Sequence, residues 1–189
     1  LFFSDSPFKV VRTGYLYLTT STDKGATWSA PTLLPNIKTS GEQVCLVGPG
    51  RGVVTSSNYL IFPVYSYNYG TQKMGFIYRA NNSSTWGRID CDTISGWSSE
   101  AAVVALDDTT LRFFYRNGTA NLCYVDYTWT NGGQTDGKWG SPVNTGIATN
   151  SNTQISAITY SKTVDGQKVL LVSCPTGPNE RGSNQSGAE

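Results

Sequence analysis

With 189 residues, 14 Lys and Arg against 13 Asp and Glu, and a net charge of +1, the chain offers no basic surface for nucleic acid or an anionic membrane. Histidine is absent, which removes imidazole general bases, Ser-His-Asp and Cys-His catalysis and His-ligated metals together. No apolar run approaches the roughly 18 residues of a transmembrane helix, and a chain with 14% charged residues, 20 Gly and 11 Tyr suits an all-β protein with many turns and a carbohydrate-friendly surface.

The first residues, LFFSDSPF, lack the form of a signal peptide, and a leading Leu in place of Met predicts that the natural N-terminus lies upstream. GYLYLTT, residues 14–20, alternates in strand fashion and runs into STDKGATW, residues 21–28. That octet reads as a structural turn built from Ser21, Asp23, Gly25, Thr27 and Trp28. The Asp23 carboxylate is expected to accept backbone N–H groups, Gly25 to supply a positive φ, and Trp28 to act as a packing wedge with one N–H to satisfy. Further on, residues 52–54 and 59–65 flank a turn at 55–58, and residues 101–106 and 111–117 flank one at 107–110. Residues 155–164 and 167–174 flank Asp165-Gly166, a strong two-residue hairpin signal. Trp86 in NNSSTW and Trp139 in TDGKW mark degenerate copies of the opening octet. The hairpin turns and the tryptophan turns share one period of about 50 residues, which predicts β-propeller blades with helix as a minor component. At that period the chain holds about three and a half blades, with no internal domain boundary, so residues 1–189 are expected to be part of a longer propeller. The cysteines Cys45, Cys91, Cys123 and Cys174 are far apart and form no CxxC pair. Zinc is not expected; three disulfide pairings are formally open, and buried thiols are the preferred reading. No metal or other cofactor is expected.

The second hairpin brings chemistry together. If opposed positions sum to about 217, Glu100 lies beside Asn117 and Arg116 faces Ala101, so acid and guanidinium meet at the hairpin's open end. The first hairpin puts GPGRG, residues 48–52, and Tyr65 at its own open end, and the third puts Gln154 and the PTGPNER loop there. Equivalent ends of successive blades share one face, so these groups are expected to ring one mouth, with the tryptophan turns on the other rim. Arginine's planar fork grips a carboxylate bidentately and keeps its proton, which suits an anionic sugar. Arg112 alternates onto the face of Arg116 and reads as a paired charge. Arg51 reads as structural or peripheral, and Tyr65 and Tyr67 could line a sugar pocket.

STDKGATW matches the Asp box, S-x-D-x-G-x-T-W, and the chain resembles sialidases of the glycoside hydrolase family 33 type along nearly its whole length. VGPGRGVV with YLIFPVY, SSEAAVVALDDTTLRFFYRNG, QISAITY and CPTGPNERGSN resemble, in order, that family's characteristic segments. The resemblance implies a six-bladed sialidase propeller that removes terminal sialic acid with retention through a tyrosine nucleophile. It implies that Glu100 takes the tyrosine's proton as general base and that Arg116 and Arg181 are two of three arginines holding the sialic acid carboxylate. The first arginine and the acid aspartate are expected before residue 1, and the nucleophile some 30 residues after Arg181 by the family order, so the fragment alone is expected to be inactive. Sialylated glycans are the implied partners and a secreted or cell-surface bacterial setting the implied location. Two further readings share this architecture. One is sialyl transfer, to another glycan or within the sugar to release an anhydro product; the other is a non-catalytic sialoglycan lectin. A protein-binding propeller predicts no convergence of Glu100 with the arginines.

Overall fold

A computed structural model describes residues 2–4, 14–48, 50–68, 71–80, 82–94, 98–118, 121–130, 134–149 and 154–176. Blade I consists of β1 (Phe2–Ser4), β2 (Leu16–Leu18) and β3 (Thr32–Leu33). In blade II, β4 (Val44–Val47) and β5 (Val53–Val54) share one flank of β6 (Tyr59–Asn68), and β7 (Thr71–Ala80) and β8 (Gly87–Asp90) follow. Blade III runs through β9 (Ser98–Ala105), β10 (Thr110–Asn117) and β11 (Asn121–Thr128), with β12 (Lys138–Trp139) and β13 (Val143–Ala148) sharing its far edge. Blade IV contributes β14 (Ser156–Val164) and β15 (Gln167–Ser173). Every pairing among the described residues is antiparallel, and the helical content there is one short 3-10 turn, Gln134–Asp136. The blade repeat read from the turn spacing is what the chain forms.

The blades stack because their middle strands are apolar on both faces. Ile61, Met74 and Phe76 of blade II pack with Val103, Phe113 and Tyr127 of blade III. On the opposite face Val64, Ile77 and Trp86 meet Leu16, Leu34 and Ile37. Side chains alternate along a strand, so one sequence serves two interfaces at once. The rings of Phe76 and Phe113 stack with centroids 5.5 Å apart. Trp139 leans on both and donates its Nε1–H to the Asp90 carbonyl at 2.9 Å, fastening blade III to blade II. Ile155 and Ala157 of the blade IV segment pack with Ala102, Val104 and Phe114 in the same manner. The three hairpin turns fall where expected, and Asp165 (φ 50°) and Gly166 (φ 75°) both take left-handed backbone in the last. The loop after β11 lies against the turn between β9 and β10, where the Trp129 N–H donates to the Thr109 carbonyl at 3.0 Å. Hairpin turns and tryptophan turns therefore share one rim.

The octet 21–28 closes on itself between β2 and β3. Asp23 accepts the Thr27 N–H at 2.9 Å and the Thr27 hydroxyl at 2.5 Å, while Ser21 Oγ donates to it at 2.7 Å and accepts the Gly25 N–H at 2.7 Å. These donors, the Thr27 hydroxyl first, hold the Asp23 carboxyl down at about 2. The wedge expected of Trp28 is not found. Its Nε1–H donates to Gly25 O at 3.1 Å, folding the indole onto its own turn and leaving it 51% exposed. Trp86 is the buried member of the series, 8% exposed, and Trp139 is half-buried.

A charge cluster that sequence reasoning did not single out pins the segment between β3 and β4. Arg88 on β8 grips Glu42 with both terminal nitrogens (2.8 and 2.7 Å), Asp90 with Nε (2.6 Å) and the Ile37 carbonyl (2.7 Å). Burial alone would push the Glu42 carboxyl up, but hydrogen bonds from Arg88, Ser66 and the Thr39 N–H outweigh it and hold the group at about 2.

Arg88→Met should lower unfolding stability by about 3 kcal/mol in urea titrations, because it leaves Glu42 buried and unpaired. Glu42 is held below its ordinary value of 4.5, so its contribution is complete above that pH and disappears as pH falls towards 2. Wild type should lose stability across that window, and Glu42→Gln should start lower and lose less across it. Asp23→Ala should lower the melting temperature at neutral pH and leave ligand contacts at the opposite rim unchanged; a loss of binding without a loss of stability would place Asp23 in the site.

Candidate functional site

The open ends of the hairpins form the other rim, and Glu100 stands there at a defect in the sheet. From Leu111↔Ala105 to Phe114↔Ala102 the β9–β10 register is regular; it resumes, shifted, at Arg116↔Ser99. The expected pairings of Arg116 with Ala101 and of Glu100 with Asn117 are thus corrected: the register is one residue from the expected sum already at Leu111↔Ala105, and Glu100 and Ala101 together oppose Tyr115, a β-bulge that puts Arg116 against Ser99 and Asn117 against Ser98. Glu100 takes φ 53°, the left-handed region that a side chain of its kind seldom enters. Holding a residue there costs on the order of 1 kcal/mol or more, and a bulge re-aims the side chain it carries.

The re-aimed carboxylate meets Arg116. Arg116 Nη2 donates to Glu100 Oε2 at 2.9 Å, with the two side chains 13% and 18% exposed. Arg116 Nε is buried and finds no acceptor. The arginine four residues back behaves differently. Arg112 spends its fork on Asp126 at 2.8 and 2.8 Å and lies 3.8 Å above the Tyr124 ring, the paired charge expected of it. A buried donor without a partner is uncommon and asks for a ligand or water. Arg116 has one and Arg112 does not.

Tyr65 on β6 completes the group from the neighbouring blade. Burial pushes its hydroxyl up to about 12; the Glu100 charge raises it further, and Arg116 opposes that. The phenol is therefore a neutral donor beside an anion–cation pair throughout ordinary pH. Gly48, in the loop that follows β4, sets how closely the blades approach here. A Cβ at that position would stand 2.6 Å from the Ala101 carbonyl oxygen and 3.3 Å from Pro63. The first glycine of GPGRG is thus required by blade contact next to Glu100. Sequence reasoning saw that motif only as a likeness; nothing in its spacing shows which backbone it would touch.

The other nominated residues are placed less tightly. Gln154 is exposed just before β14, and no contact among the described residues joins it to Glu100, Arg116 or Tyr65. Arg51 is exposed in the loop between β4 and β5, and Tyr67 is buried opposite Val44 and Gln72. Arg181 and most of its loop lie outside the described residues. Cys45, Cys91 and Cys123 are buried free thiols and Cys174 a half-buried one; burial pushes Cys45 up to about 12. Among the described residues no cluster of three His, Cys, Asp or Glu could hold a metal. What remains is an acid, a guanidinium with a free buried donor, and a neutral phenol at one mouth. That set can hold an anionic group and polarise a hydroxyl.

Residues 1–183 match the family model described as BNR repeat-like domain. The chain is 32% identical over 188 residues to an anhydrosialidase of Macrobdella decora, covering 96% of this chain and 24% of that protein. It is 32% identical over 190 residues to sialidase B of Streptococcus pneumoniae, covering 98% of this chain and 26% of that one. The solved structure of the NanB sialidase from Streptococcus pneumoniae superposes with a TM-score of 0.73 at 29% identity, covering 87% of this chain and 24% of the other. The chain thus spans about a quarter of the length of the relatives it matches.

The close approach at Gly48 gives a sharp structural prediction. Gly48→Ala should cost about 1–3 kcal/mol as an overpacked contact and should displace Glu100. An unchanged denaturation midpoint would show that the two blades are not in contact there.

Proposed function

Because this chain belongs to the family of BNR repeat-like domains, we propose that it is part of the catalytic propeller of a sialidase that removes terminal sialic acid from glycoconjugates. The observation that carries the reading is the Glu100–Arg116 pair, with the Nε donor of Arg116 buried and unspent. A sugar carboxylate entering the mouth can take that donor at little desolvation cost, because the guanidinium has already left bulk water. Arg181 would be a second holder of the same carboxylate. Glu100 would serve as the base that draws the proton from a tyrosine nucleophile supplied by a segment of the parent protein beyond this chain. A neutral tyrosine suits the task, since a carboxylate nucleophile would repel the anionic substrate; the reaction would proceed with retention. Tyr65 would donate to the bound sugar, and Gln154 would border it. Glycans of this kind lie outside cells, which fits a secreted or cell-surface protein, taken here as bacterial. No cofactor enters the scheme.

The relative named anhydrosialidase favours a second reading of the same site. There, after the rest of the glycan has left, a hydroxyl of the sialyl residue itself, in place of water, attacks its own anomeric carbon and displaces the tyrosine, and an anhydro sugar leaves. Product mass separates the two: the anhydro product is lighter than free sialic acid by one water.

The test is made on the full-length parent with a fluorogenic sialoside. The parent should turn over. Arg116→Ala should chiefly raise KM, by about 10- to 100-fold for a lost charged contact. Glu100→Gln should chiefly lower kcat, by about 10²- to 10⁴-fold for a lost general base. A parent that binds sialyllactose without turnover would be a lectin.

A further inference from the structure

The rim opposite Glu100 carries a cleft that the mouth chemistry does not use. It lies between blades I and II, holds about 430 Å³, and is bounded on one side by the octet turn and on the other by β6 and β7. Phe2 and Phe62 pack edge to face at 4.8 Å, and Trp86 stands 6.1 Å from Phe62, so the inner wall is a braced aromatic surface. Trp28 forms the outer lip. Its indole is 51% exposed, yet it is fixed in place by the hydrogen bond to Gly25 O. A large flat ring that is both exposed and immobilised is suited to stacking.

The polar groups of this cleft are one-signed. Among the described residues Arg79 and Lys24 line it and no carboxylate does. Asp23, the nearest acid in sequence, is engaged by Ser21 and Thr27 within the turn. Arg79 lies 5.1 Å over the Trp86 ring, and its Nε is buried without a partner. It is the second such arginine nitrogen among the described residues; Arg79 pairs with Leu60 beside the turn at 55–58, at the end of β7 away from the mouth, and shares the face of Ile77 towards blade I. A concave, aromatic-lined volume with a few convergent polar groups is the ordinary form of a small-molecule site.

We propose that this cleft is a non-catalytic site for a carboxylated sugar residue, stacked on Trp28 with its carboxylate held by Arg79 and Lys24. The volume accommodates a mono- or disaccharide. The two lining cations, Arg79 and Lys24, select an anion over a neutral sugar. The site would tether an acidic glycan on the far rim while another branch is engaged at the mouth, so its contribution would be avidity rather than chemistry.

The experiment uses the full-length protein carrying Arg116→Ala, which weakens the mouth, together with Glu100→Gln, which suppresses turnover. Binding of 3′-sialyllactose, a galacturonate trisaccharide and lactose is measured by calorimetry. One of the two acidic sugars should bind, lactose at least about tenfold more weakly, and the acidic sugar that binds identifies the source. Trp28→Ala, at an exposed position, and Lys24→Asn, which retains a residue tolerant of the left-handed backbone at φ 61°, should each weaken that binding several-fold while the melting temperature holds. Arg79→Gln should weaken it further. Equal affinity for lactose, no binding of either acidic sugar, or affinity indifferent to Trp28→Ala and Lys24→Asn would overturn the proposal.

Discussion

Blades II and III meet at Gly48 and Ala101 with no room for even a methyl group between them. The position of every group at the mouth depends on that approach. Tyr65 comes from one blade and the Glu100–Arg116 pair from the next, so their spacing is set by sheet packing rather than by any loop. The stack of Phe76, Phe113 and Trp139, with the indole hydrogen bond to Asp90, fixes the same interface further along. Apolar burial holds the sheets together, and glycine permits the last ångströms of contact.

The arginines divide by what they have already spent. Arg88 has its donors engaged by two carboxylates, a hydroxyl and a carbonyl, and its work is to hold the segment before β4. Arg112 is closed in the same way by one aspartate and one ring. Arg116 and Arg79 each keep a buried nitrogen in reserve. A buried donor costs about 1–3 kcal/mol when unpaired; among the described residues the Trp129 indole N–H is a third such donor, and none of the three adds to stability.

Much of this was legible in the sequence. Hairpins around residues 55–58, 107–110 and 165–166 could be read from alternation and turn chemistry, because both are local. Glu100 and Arg116 could be paired by counting outward from the turn at 107–110. The count was one residue out from the turn onward, where Leu111 pairs with Ala105 instead of Leu106, and the bulge shifts it by one more, since a bulge leaves no mark in composition and arises from how strands twist against their neighbours. Trp28 was misjudged for a related reason. Its place in the octet was clear, but whether an indole enters a core depends on what the adjoining blade offers, and here its own turn satisfies it first. The Arg88–Glu42 cluster spans 46 residues, with no periodic signal connecting them. Arg79 was equally hidden, although its register opposite Leu60 follows from the length of the β6–β7 hairpin.

The self-contained octet also bears on how the chain acquires its structure. Its hydrogen bonds join residues no more than four apart, so the link from β2 to β3 can close before any blade has found its neighbour. Contacts such as Phe76 with Phe113 need a loop of tens of residues to close and come at a greater entropic cost. A turn that persists without tertiary support is available as an early template, and it gives β2 and β3 their register in advance. Propellers built from such units would assemble blade by blade, with the seams between blades the last to set.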